Sequence, residues 1–190
     1  MPKRVIIIHG TEGSPTEGWF PWLRSKVKSL GAEAVSPALP TPEGQSLESW
    51  KREFNRQIGD LGLNDILVGH SIGASFALRL VGGVSQPITG LFTAAGVTQR
   101  IGHQKYDPLL ASFVDEPFEW ATIKQHARTF HAYHGEKDNL VPLAQGREIA
   151  DGLGVKLQVI KDEGHFSGDD GFTEFPQLWT DLAPTLDPDA

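Results

Sequence analysis

Apolar positions along this chain alternate between two patterns. Arg4–His9 reads R-V-I-I-I-H and is closed by Gly10. An unbroken β-branched run of that length predicts a strand buried on both faces, as parallel sheets require. Trp19, Leu23, Val27 and Leu30 then recur at helical spacing up to Gly31. Ala34-Val35 predicts a short second strand, broken by Pro37, Pro40 and Pro42. Leu47, Trp50, Phe54, Ile58 and Leu61 follow at steps of three and four, a helix that Ser46 can cap. Asp65–Gly69 is the third strand, and Ile72–Val81 a helix apolar on most faces, which places it in the middle of the molecule. Ile88–Ala94 and Thr129–His134 are predicted strands. A helix over Leu143–Leu153, a sixth strand over Val155–Ile160 and a last helical stripe (Phe175, Leu178, Trp179, Leu182, Leu186) complete the chain, with Pro176 tolerable in a first turn.

Strand and helix alternate throughout. That predicts an α/β fold, a doubly wound, mostly parallel sheet of six strands flanked by helices. Right-handed crossovers leave few topologies, and the order expected is 2-1-3-4-5-6. The irregular stretch is Gly96–Pro117. No repeat, linker or charge block divides residues 1–190, a length suited to one domain.

Composition narrows the function. With 39% hydrophobic residues, five Trp and ten Phe, the chain is not of the disordered class. No apolar run nears the ~18 residues of a membrane span, and Val5–Ile8 is too short for a signal-peptide core. The absence of Cys removes disulfides, Cys-based zinc sites and a Cys nucleophile, and favours a cytoplasmic location. A net charge of −7 and a pI near 5.4, without any basic run, argue against nucleic acid as a partner.

Gly69-His70-Ser71-Ile72-Gly73 matches G-x-S-x-G between a predicted strand and a buried helix. That is where a nucleophile elbow must lie for a serine hydroxyl to project above the sheet's C-terminal edge. The plainer alternative is a βα turn with a capping serine. A serine nucleophile needs a base, and the base needs an orienting acid. In this setting the chain order is Ser, acid, His. Among seven His, only His165, in E-G-H-F after the last strand, meets that order well. His70 lies in the elbow itself, its ring expected to point away from the hydroxyl. Asp138, after the fifth strand in H-G-E-K-D, is the candidate acid; Asp162 is nearer in sequence but ends the same strand that leads to His165. Oxyanion stabilisation calls for two backbone N–H groups. Ile72 supplies one, and Thr11, with Glu12 as the alternative, supplies the other.

These motifs resemble the small α/β-hydrolase family that includes retinoblastoma-binding protein nine and the bacterial YdeN-like hydrolases. The likeness covers nearly the whole chain. It rests on V-I-I-I-H-G, S-P-T-E-G-W-F-P-W-L (Ser14–Leu23), G-H-S-I-G-A (Gly69–Ala74), P-F-E-W-A-T-I (Pro117–Ile123) and H-G-E-K-D-N-L-V-P before G-H-F. W-F-P-W-L points to the YdeN-like branch. The resemblance implies a minimal α/β-hydrolase fold with little or no cap and a catalytic triad of Ser71, Asp138 and His165. Ser167–Gly171 departs from the family pattern by its length and acidity. Without Cys there is no L-x-C-x-E motif, so no retinoblastoma-type partner is implied.

The function expected is therefore a metal-free serine hydrolase, esterase-like, that cleaves a small-molecule carboxylic ester or related acyl compound through an acyl-enzyme, with no cofactor. The alternative is a non-catalytic binding protein on the same fold. A metallohydrolase using His9, His134, His165 and Asp138 lacks supporting ligand spacing. Nucleotide binding at G-T-E-G-S-P lacks both glycine fingerprints. Val97–Gln125 must cover the site. The aromatics Phe113, Phe118 and Trp120 there, with Trp19 and Phe20 on the other side, are the candidate pocket walls and would favour short acyl groups. The alternative for Trp19 and Trp120 is a place in the core.

Overall fold

The run R-V-I-I-I owes its unbroken hydrophobicity to a sheet covered on both faces. The structure is a computed structural model that describes residues 2–187; residue 1 and residues 188–190 of the expected domain lie outside it. The first strand, β1, spans Arg4–Ile8. Its Val5 and Ile7 pack into one core while Ile6 and Ile8 pack into the other, as the two-residue strand period dictates. β3 (Asp65–His70) divides in the same way, with Ile66 and Val68 on one side and Leu67 on the other.

Between β1 and β3 lie α1 (Phe20–Ser29), β2 (Glu33–Val35) and α2 (Leu47–Gln57). Ser46 caps α2 as expected. Its Oγ accepts the Ser49 N–H at 3.1 Å while the Ser49 hydroxyl accepts the Ser46 N–H at 3.1 Å, so two otherwise orphaned donors satisfy each other's side chains. Then come α3 (Ile72–Gly82), β4 (Ile88–Ala94), α4 (Asp107–Val114), α5 (Trp120–Gln125), β5 (Ala127–Gly135), α6 (Leu143–Leu153), β6 (Leu157–Ile160) and α7 (Pro176–Leu182). A short 3₁₀ turn, Ala183–Leu186, ends the last stripe, where Pro184 cannot continue an α-helix.

All six strands pair parallel in the order β2-β1-β3-β4-β5-β6, the order expected. One face carries α1 and α7, whose Phe20, Leu23, Val27, Leu178 and Leu182 are buried with Phe166 and Phe175. The other carries the remaining helices around Trp50, Phe54, Phe76 and Phe113. The irregular stretch is more ordered than the sequence suggested, since it contains α4. Every strand's C-terminal end lies at one edge, and the order reverses between β1 and β3, where ligands of open α/β sheets bind. Among the described residues, no helix is long and apolar enough to cross a membrane.

Candidate active site

Ser71 joins β3 to α3 in a conformation that few side-chain-bearing residues adopt, φ 56° and ψ −127°. Such a backbone costs of order 1–3 kcal/mol and persists only where its surroundings fix it. Here the Ser71 N–H donates to the Ala94 carbonyl of β4 at 2.9 Å. Gly73 lets α3 approach β1: a Cβ there would strike the carbonyl oxygens of His9 and Ile8. Gly10 does the same for the first loop, since a Cβ there would stand 2.9 Å from the Ser71 Cβ. The G-x-S-x-G spacing is thus explained by close packing as well as by the turn.

Three side chains far apart in sequence meet at this elbow. His165 Nε2 lies 3.0 Å from Ser71 Oγ, and His165 Nδ1 lies 2.8 Å from Asp138 Oδ2. The carboxylate accepts, so the proton sits on Nδ1 and Nε2 is left to accept from the serine hydroxyl. Asp138 is fixed by its own loop, its Oδ1 taking the N–H groups of Leu140 and Val141 at 2.9 Å each. Burial raises the Asp138 carboxyl, but the hydrogen bond and charge of His165 and those two N–H groups outweigh it and hold it below its ordinary value. Burial pushes the His165 imidazole below its ordinary value, against the opposing pull of Asp138. At neutral pH the arrangement is a carboxylate beside a neutral imidazole, the state that can take a proton from a hydroxyl. Asp162, the alternative acid, instead pairs with Lys137 at 2.6 Å on the surface.

The other candidate histidines have different partners. His9 donates from Nδ1 to the Gly10 carbonyl at 2.8 Å and accepts the Leu39 N–H on Nε2 at 3.0 Å, so both ring nitrogens are used within the fold. His134, fully buried, donates from Nε2 to the Val141 carbonyl. His70 donates from Nε2 to the His165 carbonyl at 2.7 Å, and its ring lies 5.0 Å from that of His165. Glu17 faces its Nδ1 at 3.8 Å. No sequence spacing signals Glu17, whose contact with His70 is made across 53 residues.

A cavity of about 860 Å³ opens over Ser71, within the range of small-molecule sites. Thr11 and Glu12 line it, but the Glu12 N–H is spent on Thr41 Oγ1 at 2.7 Å. Ile72 opens α3, where its N–H has no intrahelical acceptor. Of the five aromatics expected at the pocket, only Trp19 lies on its wall. The other four lie off the pocket: Phe20, Phe113 and Phe118 are buried in the core, and Trp120 is half-buried against it. Phe20 packs edge-on to Trp19, Phe113 packs on Trp50 and Phe76, Phe118 lies under the Arg79 guanidinium, and Trp120 sits beside Phe118 and against Gly152 of α6. The rest of the apolar lining is mostly aliphatic, formed by Val97, Ile101, Leu110, Leu140 and Val141, with the aromatic rings of Tyr106 and Phe166.

Comparison with known proteins agrees with this architecture. The serine hydrolase family model matches residues 5–184. YdeN of Bacillus subtilis (strain 168) is 28% identical over 181 residues, covering 94% of each chain. The crystal structure of the ydeN gene product of B. subtilis superposes with a TM-score of 0.87 at 26% identity, covering 96% of this chain and 98% of that one. A structure from the metagenome-derived lipolytic enzymes LipS and LipT shares the fold at 14% identity, with a TM-score of 0.73 and coverage of 97% and 94%.

Proposed function

The chain belongs to the serine hydrolase family, and from that premise we propose that it cleaves a small carboxylic ester or related acyl compound, without a metal, through an acyl-enzyme on Ser71. His165 Nε2 takes the Ser71 proton as Oγ adds to the substrate carbonyl carbon. The tetrahedral intermediate then collapses, and His165 gives that proton to the departing alcohol. Water, activated by the same imidazole, releases the acid and restores the serine. Asp138 keeps His165 in the productive tautomer and stabilises its charged form. The N–H groups of Ile72 and Thr11 face the developing oxyanion. An aliphatic wall beside Ser71 suits the acyl chain of an ester.

The observation that carries this reading is the single hydrogen-bonded chain Ser71–His165–Asp138, at 3.0 and 2.8 Å, beneath an open cavity. A fluorophosphonate is expected to add covalently to Ser71 and to abolish hydrolysis of p-nitrophenyl acetate. Ser71→Ala should prevent both while leaving the circular dichroism unchanged, and a chelator should have no effect on turnover. Labelling at another serine, or full turnover by Ser71→Ala, would overturn the proposal.

A further inference from the structure

The loop that offers Thr11 to the oxyanion is a tight turn with an awkward member. Gly13 N–H reaches back to the Gly10 carbonyl at 3.2 Å, which makes Thr11 and Glu12 the two central residues of a β-turn. Glu12 adopts φ +60°, a region that disfavours a residue with a side chain, and it does so at the mouth of the cavity. Such a turn can relax into other forms unless something outside it decides which peptide faces where.

That something is Gln45, which lies 34 residues away, just before α2. Its Nε2 donates to the Leu109 carbonyl at 3.0 Å and to Thr11 Oγ1 at 2.9 Å, and its Oε1 accepts the Thr41 hydroxyl at 2.6 Å. The direction of every bond is dictated by chemistry. A backbone carbonyl can only accept, so the amide end facing Leu109 is the nitrogen. The other end is then an acceptor, so Thr41 must turn its hydrogen towards it. That leaves a lone pair of Thr41 Oγ1 for the Glu12 N–H at 2.7 Å. The ring Thr11–Gln45–Thr41–Glu12 closes with each donor matched to one acceptor. It grips Thr11 by its side chain and by the peptide that follows it. Among the described residues, the N–H of Thr11 itself meets no acceptor, so it is a donor this loop leaves open to a ligand.

We infer that Gln45 is a positioning residue for the oxyanion hole, acting with Thr41 to hold the Thr11 N–H in place. The inference rests on the serine hydrolase reading above. It also joins the hole to α4 through Leu109, so the helix beside the aliphatic wall and the oxyanion loop share one anchor.

The test uses p-nitrophenyl acetate as substrate and butylboronic acid as a mimic of the tetrahedral adduct. Losing an oxyanion donor costs roughly 10²–10³ in kcat, and a donor left in place but loosely held should cost about 10-fold or more. Gln45→Ala is therefore expected to lower kcat by about 10-fold with KM within about two-fold, and to weaken boronate binding by the same factor, because the loss is felt in the transition state alone. Thr41→Val, which keeps the shape but removes the hydroxyl, should act in the same direction, and Thr41→Ser should restore the wild-type values. A merely structural role would alter melting temperature without that parallel between kcat and boronate affinity. The inference is overturned if both Gln45→Ala and Thr41→Val keep kcat within two-fold, or if kcat falls while boronate affinity stays the same. Should Gln45→Ala fail to fold, the Thr41→Val and Thr41→Ser pair decides alone. A wild-type protein that neither turns over the ester nor binds the boronate would instead sink the hydrolase reading, a result distinct from neutral variants of an active enzyme.

Discussion

His165, the base of the proposed reaction, is subject to opposing electrostatic demands, and these would set the pH range of turnover. Its ring lies beside that of His70 at the cavity, and burial favours the neutral form; Asp138 at 2.8 Å favours the charged one, and His70 and His134 oppose charge again. Burial wins. A base works only when unprotonated, so turnover should fall as pH drops through the His165 ionisation, and the midpoint should lie below the ordinary His value of ~6.5. A kcat/KM profile for p-nitrophenyl acetate with its acid limb centred above 7 would contradict this account. Asp138 stays ionised across that range, because the His165 imidazole and two N–H groups hold its carboxyl low. Asp138→Asn keeps the shape, but its amide N–H would donate to His165 Nδ1 and put the ring proton on Nε2, where it blocks acceptance from Ser71; this should lower kcat by about 10²–10⁴. Asp162→Asn, which removes only a surface pair with Lys137, should leave kcat within about two-fold, and a larger effect there than at Asp138 would reassign the acid.

Between residues and the whole lie the elements, and here the elbow depends on how closely α3 can approach β1. Gly73→Ala would drive a methyl group into the carbonyls of His9 and Ile8, both backbone atoms without a flexible end to give way. Overpacking of that kind costs ~1–3 kcal/mol, and the upper end is expected, read as a lower urea midpoint with activity lost along with the Ser71 geometry. A variant with wild-type stability would show that α3 can slide. The same elements show what could be read without coordinates. The strands were legible because a parallel sheet covered on both faces needs continuous apolar runs. The Ser71, Asp138 and His165 candidates were legible because each must follow a strand in a set order. The pocket wall was not. Phe113 and Phe118 have the composition of a wall, and only their packing, Phe113 against Trp50 and Phe118 against Arg79, makes them core. The helix α4 itself was hidden by its eight residues and its early Pro108. Gln45, Glu17 and His70 make contacts with residues distant in sequence, which no local period encodes.

At the scale of the molecule, the charge around Ser71 bears on which esters the proposed reaction would favour. The chain carries −7 overall, and the cavity wall adds a concentration of its own: Glu12, Glu17, Asp162, Glu163, Asp169 and Asp170 against Lys137. The basic groups nearby are already neutralised, Lys137 by Asp162 at 2.6 Å and Lys105 by Glu12 at 2.7 Å. Glu17 remains a carboxylate: burial opposes its charge, but His70 and the Ser14 N–H hold its carboxyl below the ordinary value. A concave mouth lined by one sign of charge focuses its field and changes encounter rates by ~10–10³. An ester with a free carboxylate on its acyl chain should therefore react more slowly than a neutral ester of equal length. For the p-nitrophenyl esters of succinic and butyric acid, kcat/KM is expected to favour the butyrate by about 10-fold or more at low ionic strength. Screening supplies the decisive arm, because the Debye length shrinks from ~10 Å at 0.1 M to ~3 Å at 1 M salt. The gap should close substantially over that range if it arises from the field of the rim. A preference that salt leaves untouched would place the discrimination in direct contact with the aliphatic wall instead, and a preference for the succinate would require a cation at the mouth that these ion pairs do not leave free.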